Sequence, residues 1–246
     1  MDETIPARGG RPLREIETWI FDLDNTLYPI SCNLFAQVEE RMAAFIMEEF
    51  ALDLEAAHAM RRQFFTEHGT TLRGLMLAHG IEPTRFLDFV HEIDLSGVPR
   101  SPELAAAINA LPGRKLVFTN ATARHAERVM ERLGLTEHIE AVHDIVACGY
   151  TPKPDRSAYA KLLARYAVAP ETALMVEDMA RNLEPAAALG MTTAWVRNPL
   201  AWASAGADKP YVHHIVENLA QWLAAAVAPD RTDRGEPTLL RYDRSP

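Results

Sequence analysis

The sequence predicts an α/β protein, a doubly wound parallel sheet with an all-helical unit inserted after its first strand. Three observations carry that prediction. From residue 102 to residue 196 short apolar runs alternate with helix-length segments, the pattern of a parallel sheet covered on both faces. Residues 33–91 hold no convincing strand and read as helices throughout. Three apolar runs break off into polar residues: Phe21 into Asp22, Phe118 into Thr119 and Asn120, and Val176 into Glu177 and Asp178. In a parallel sheet all three ends lie on one edge, where open α/β folds place ligands.

Taken in order, 1–14 is polar, with Pro, Gly and mixed charge, and is expected to be a loose arm. Trp19, Ile20 and Phe21 are too few for a helix and form a buried strand that ends at Asp22 and Asp24. Phe35, Val38, Met42, Phe45, Ile46 and Phe50 then fall at helical spacing behind Asn33 as N-cap, and Asp53 opens a second helix carrying Met60, Phe64 and Phe65. His68-Gly69-Thr70-Thr71 interrupts it, and Gly80 to Pro83 breaks the chain again before a helix over 84–91. Beyond a turn-rich connector at 97–102, helices are expected over 102–110, 123–133, 155–167, 181–189 and 215–227. Strands are expected over 115–118, 145–147, 173–176 and 192–196. The expected core is thus 15–32 with 100–230, the helical insert 33–99, and the loose tails 1–14 and 231–246.

Composition narrows the function. The hydrophobic fraction of 48% belongs to a globular chain with a sizeable core. The net charge of -9, without a basic cluster, speaks against nucleic acid or an anionic membrane as partner. An anionic substrate would need a local cation, either a metal or a lysine. Cys32 and Cys148 show neither CxxC nor zinc spacing and fit a reducing compartment. With no leader-like N-terminus and no membrane-length apolar run, a cytoplasmic protein is expected, as a monomer or homodimer.

The chemistry-bearing residues form a coherent set. Lys153 stands between Pro152 and Pro154, which restrict the backbone and limit where the amine points. Carboxylates from two strand ends beside one confined cation suit Mg²⁺, which takes a few protein oxygens together with water and phosphate. The alternative for Asp22 to Thr26 alone is an Asx-type turn that closes a strand. The nine histidines share no ligand spacing and are assigned to surface or core. Trp202 is able to stack on a base, whereas Trp195 falls in a strand and is assigned to the core.

Asp22-Leu23-Asp24-Asn25-Thr26, Thr119-Asn120, Lys153-Pro154-Asp155 and Glu177-Asp178 resemble, in order, the four motifs of the haloacid dehalogenase-like hydrolase superfamily. The resemblance covers roughly 17–196, and the helical insert looks like the cap of that superfamily's first cap class. It implies Asp22 as nucleophile, Asp24 as general acid/base, Thr119 as a hydrogen-bond donor to the phosphoryl group with help from the Asn120 backbone, and Lys153 as charge neutraliser. It implies Mg²⁺ on Asp22, the Asp24 main-chain carbonyl and Asp178, with Glu177 binding directly or through water. Asn182 is a candidate to support that loop. Superfamily members that cleave carbon–halogen bonds lack the second carboxylate, because halide leaves without a proton; Asp24 therefore favours phosphate esters.

The run Asp22 to Pro29, Ser31 to Phe35, His68 to Leu75 and Phe118 to Ala121 is similar to the pyrimidine 5'-nucleotidase branch. That likeness implies UMP or CMP as substrate, read by Thr70, Thr71 or Arg73 on the cap; the plain alternative is that Thr70-Thr71 caps a helix. Other readings are a phosphatase of phosphoglycolate or sugar phosphates, a sugar-phosphate mutase, or a non-catalytic regulator that binds a phosphorylated ligand or partner.

Overall fold

The computed structural model describes residues 9–228. The tail expected over 231–246, and residues 1–8 of the expected arm, lie outside that range. Residues 9–14 are tied down: the Arg11 N–H donates to Thr192 Oγ1 at 2.8 Å, and a short turn of helix follows at Leu13–Glu15.

Six strands form an all-parallel sheet: β1 (Thr18–Phe21), β2 (Arg114–Phe118), β3 (Ala141–His143), β4 (Ala173–Glu177), β5 (Thr192–Val196) and β6 (His214–Val216), in the order β3-β2-β1-β4-β5-β6. The central strand β1 pairs with β2 on one side and β4 on the other, so that Ile20 faces Leu116 and Met175. Strand order runs outward in opposite directions from β1 and β4. The connections leaving their carboxyl ends therefore run to opposite sides and leave a crevice, the place where doubly wound sheets hold ligands.

The helices are α1 (Leu34–Phe50), α2 (Leu54–His68), α3 (Thr71–His79), α4 (Pro83–Val90), α5 (Pro102–Ala110), α6 (Ala123–Leu133), α7 (Arg156–Tyr166), α8 (Ala180–Ala188), α9 (Ala201–Ser204) and α10 (Leu219–Ala226). Side chains alternate across the sheet. Trp19 and Phe21 share a core with residues of α5, α6 and α10, while Ile20 packs with residues of α7 and α8. Helix starts follow local chemistry: the side chains of Asp53, Thr122, Asp155 and Asn218 accept backbone N–H groups at the heads of α2, α6, α7 and α10.

Helices α1 to α4 lie between β1 and α5 without a strand among them. They pack through an aromatic cluster in which the Phe45 ring meets Phe86 at 5.1 Å and Phe89 at 5.5 Å, both edge-on. Gly74 lets α3 lie close against α2: a Cβ there would fall 2.4 Å from Phe64 Cβ.

Three expectations are corrected. Residues 145–147 form a turn rather than a strand, because Asp144 Oδ1 accepts the Ala147 N–H and Ile145 N–H bonds Ala121. The strand lies earlier, at Ala141–His143, where apolar content is lower. The helix expected over 215–227 is split: Ile215 and Val216 pair with β5 as β6, and Asn218 caps a shorter α10. A short apolar run does not distinguish strand from helix, and here sheet pairing decides. Asn33 precedes α1 in a left-handed conformation and makes no capping bond through its side chain.

Candidate active site

The crevice between β1 and β4 gathers most of the residues singled out in the sequence. The Asp22 N–H donates to Val176 O at 2.9 Å, which carries the β1–β4 pairing one residue past the strand. The chain then turns tightly, with Asn25 left-handed at φ 59° and Leu27 N–H returning to Leu23 O. The turn sends the two carboxylates different ways. Asp22 points to Lys153, and Asp24 to Tyr28 and His125.

Lys153 is the hub. Its Nζ donates to Asp22 Oδ1 at 2.6 Å, to Glu177 Oε2 at 2.7 Å and to Phe118 O at 2.9 Å. Asn120 fixes the backbone beneath it: Asn120 Oδ1 accepts the Lys153 N–H at 2.8 Å, and Asn120 Nδ2 donates to Lys153 O at 3.4 Å. The Lys153–Pro154 bond is cis. Confinement by the two prolines is thus completed by a side chain from the end of β2.

Asp178 is held by the Asn198 amide, which donates to Oδ2 at 2.7 Å, while the Trp195 indole N–H donates to the Asp178 carbonyl at 2.6 Å. Oxygens of Asp22, Glu177 and Asp178 all lie within 4.8 Å of one another, and all three residues are buried. One ammonium does not balance three buried carboxylates. Burial first, then the Glu177 charge, push Asp22 up to about 7 against the pull of Lys153. Burial first, then the Glu177 and Asp22 charges, push Asp178 well up. Lys153 is itself raised, because Asp22 and Glu177 outweigh its desolvation. Buried, crowded, all-oxygen donors of this kind fit a hard divalent cation, which would relieve the repulsion.

Asp24 has the opposite environment. Burial raises it, but the bond and charge of His125 and the Tyr28 hydroxyl outweigh that cost, so its carboxyl is held below the usual range. Tyr28 Oη donates to Oδ1 at 2.6 Å, and His125 Nε2 lies 3.3 Å from the same oxygen.

These groups open on a cavity of about 520 Å³ between the sheet edge and the helical insert. Asp22, Asp24, Asn120, Lys153, Glu177 and Asp178 form one end of its lining. Phe35, Phe65 and Trp202 also line it, with Trp202 6.3 Å from Phe35 and 6.1 Å from Phe65 between ring centres. The Arg181 guanidinium lies 4.5 Å over the Phe65 ring, and its Nε is buried with no hydrogen-bond partner among the described residues.

Not every expected residue joins them. Thr70 and Thr71 line the cavity, and Thr70 also caps α3 by accepting the Arg73 N–H, so both readings of that segment hold. Arg73 lies off the lining and pairs with Asp155 at 3.4 Å. Thr119 is buried behind the wall, its Oγ1 accepting the Ala121 N–H at 2.9 Å. Asn182 lines the cavity but makes no hydrogen bond to Glu177 or Asp178; Asn198 is the residue that holds Asp178. Asn198 and His125 escaped the sequence reading. His125 opens α6 in an ordinary helical pattern, and only the tertiary fold brings it to Asp24.

A cavity at the reversal of strand order, with a lysine shared by two carboxylates and a third alongside, places the chain in a known class. It belongs to the haloacid dehalogenase-like hydrolases, whose family model matches residues 16–190. Among curated proteins it is 25% identical over 212 residues to "Phosphate metabolism protein 8" of Saccharomyces cerevisiae, an alignment covering 77% of this chain and 64% of that one. The chain therefore spans under two thirds of that relative's length. Among solved structures it resembles the L-2-haloacid dehalogenase of Xanthobacter autotrophicus, with TM-score 0.53, 16% identity, and 85% of this chain and 97% of that one covered. It also resembles the Bacillus subtilis protein YfnB, solved bound to magnesium, with TM-score 0.53, 15% identity, and 86% and 98% covered. At such identity these structures show the fold alone. No helix among the described residues is long and apolar enough to cross a membrane.

Proposed function

We propose that this hydrolase cleaves phosphomonoesters with Mg²⁺ through an aspartyl-phosphate, and that its substrates are pyrimidine nucleoside 5'-monophosphates. The observation that carries the reaction is the divergence of Asp22 and Asp24: two carboxylates two residues apart, one bonded to Lys153 and the other to Tyr28 and His125. Environments that separate two carboxylates in this way assign them different work.

Asp22, Asp178 and Glu177, with the Asp24 carbonyl, are the groups to hold Mg²⁺, which when bound supplies positive charge to the phosphoryl oxygens. In the first step an Asp22 oxygen attacks phosphorus, the ester P–O bond breaks, and Asp24 gives its proton to the leaving oxygen. Asp24 is ionised before substrate arrives; the approaching phosphate dianion raises its proton affinity, so that it takes from solvent the proton it then donates. Lys153, which lines the cavity, neutralises charge on the transferring group. In the second step Asp24 takes a proton from water, the water oxygen attacks phosphorus, and the P–O bond to Asp22 breaks to release inorganic phosphate. Residues 33–99 act as a cap whose movement admits substrate and then excludes bulk water.

The aromatic end of the cavity supports a nucleotide. Phe35, Phe65 and Trp202 offer flat faces to a base, and Arg181 offers N–H donors to its carbonyls. A phosphoglycolate-sized ester would leave that wall untouched. The yeast relative's name links it to phosphate metabolism, which fits a phosphatase and does not choose among esters. The test is phosphate release from UMP, CMP, phosphoglycolate and sugar phosphates, with and without Mg²⁺. Mg²⁺-dependent release favouring UMP and CMP is expected. Release from the other esters alone would remove the nucleotide assignment, and release from none would remove the phosphatase.

A further inference from the structure

The contacts of Asp24 fall unevenly on its two oxygens. Oδ1 receives both the Tyr28 hydroxyl, at 2.6 Å, and His125 Nε2, at 3.3 Å. Oδ2 has no hydrogen-bond partner among the described residues, and Asp24 lies on the cavity wall with its side chain 20% exposed.

The His125 ring is fixed on several sides. Its side chain is fully buried, and its backbone N–H is taken by Thr122, the N-cap of α6. The His91 ring stacks on it at 4.5 Å and 19° between planes. His91 follows α4, the last helix of the insert, and its Nδ1 meets Thr122 Oγ1 at 3.2 Å. Among the described residues His125 Nδ1 is buried without a partner, so there Nε2 is the one ring atom through which His125 makes a hydrogen bond. To bridge to a carboxylate, that nitrogen must carry the hydrogen.

We propose that His125 is the positioning residue for the acid/base: with Tyr28 it pins Oδ1 of Asp24 and leaves Oδ2 as the oxygen that exchanges protons with the leaving group. The role rests on the phosphatase reading above. The helical insert takes part, because His91 covers the free face of the His125 ring. A carboxylate held through one oxygen keeps the other at a fixed angle to the ester, and small misplacements of a reacting group are costly.

The test uses aryl phosphates of graded leaving-group acidity, with kcat/KM as readout because it reports the steps through P–O cleavage and not the later attack of water. Phenoxide needs the proton; 4-nitrophenoxide leaves largely without it. His125→Phe keeps ring and stacking but removes the N–H. It is expected to lose about tenfold or more on phenyl phosphate and under about threefold on 4-nitrophenyl phosphate, steepening the dependence on leaving-group pKa. His125→Gln, which returns an N–H, is expected to restore much of the flatter dependence. A purely structural role for His125 would lower both esters together. An unchanged slope in His125→Phe, whether activity falls or not, overturns the proposal. Should that variant not fold, Tyr28→Phe removes the other donor to the same oxygen and carries the same expectation and the same refutation. Wild-type protein inactive on every ester would overturn the phosphatase reading itself; an active wild type with a slope shared by the variants overturns only the role of His125.

Discussion

The sheet edge and the helical insert face the same cavity, but they use their polar groups differently. At the edge, Lys153, Asp22, Glu177, Asp178 and Asn198 bond to one another and to strand-end carbonyls, so each group is positioned by the next. On the insert, polar groups are largely taken up by the insert's own fold and its docking. Thr70 caps α3, Arg73 pairs with Asp155, and Glu39 holds Arg61 at 2.5 Å. The insert lines the cavity with apolar and aromatic side chains such as Phe35, Met42, Phe65 and Phe86, with Arg61, Arg62 and Thr66 among them. The edge is thus preorganised for charge and the insert for shape, which separates the chemistry from the choice of substrate.

The sharpest way to break that division is Asp22→Asn. Turnover is expected to fall by roughly 10⁴-fold or more, since an amide does not replace the attacking carboxylate. Stability is expected to move the other way. Asp22 binds its proton more tightly in the fold, at about 7, than an ordinary aspartate does at 3.8. Ionising it therefore costs the fold stability that is present below about pH 4 and lost as pH rises through 7. Without metal, thermal melting should show the variant gaining on wild type from about pH 4 to about pH 7. Mg²⁺ should close that gap by stabilising the wild type most at the alkaline end, where Asp22 has released its proton. A gap that shrinks with pH would mean the edge is not the frustrated, cation-seeking cluster described here.

The same division explains what the sequence disclosed. Apolar runs that stop at Asp22, Glu177 and Asp178 were readable because burial and charge change within one residue, and the sheet places such ends together. Lys153 was readable because prolines flank it. His125 and Asn198 were not, since each acts through a contact made only in the folded chain, and nothing near them in sequence marks a break in pattern. Arg73 shows the converse: the likeness of 68–75 to a nucleotidase cap loop suggests a substrate contact, and only the fold shows its guanidinium beside Asp155. The fold class and the insert's helices were legible from periodicity. The helix expected over 215–227 and the strand over 145–147 were not, because a few apolar residues take whichever form their neighbours pair with.

On the aromatic wall the expected effects are smaller and of another kind. Trp202→Ala removes a ring on α9 whose aromatic neighbours are Phe35 and Phe65 of the insert. Stacking of a base on an aromatic side chain is worth about 1–3 kcal/mol, so KM for UMP is expected to rise roughly tenfold with kcat nearly unchanged. A fall in kcat with KM unchanged would place Trp202 with the chemistry and blur the contrast between the two regions.

The mildest test reaches the wall through packing alone. Glycine to alanine inside a helix ordinarily stabilises by about 1 kcal/mol. At Gly74 the new methyl would meet Phe64 Cβ at 2.4 Å and Cγ at 2.3 Å, atoms too near the backbone to swing aside. Helices α2 and α3 must then separate, and Gly74→Ala is expected to cost about 1–3 kcal/mol despite its better helix propensity. Phe65 and Thr66 on α2 and Thr70 and Thr71 at the head of α3 line the cavity, so their spacing shifts with that separation. KM for UMP should rise about threefold while the pH dependence of the Mg²⁺ stabilisation stays as in wild type. If the metal response changed as well, the insert would be shaping the charged cluster, and shape and chemistry would not be divided between the two regions.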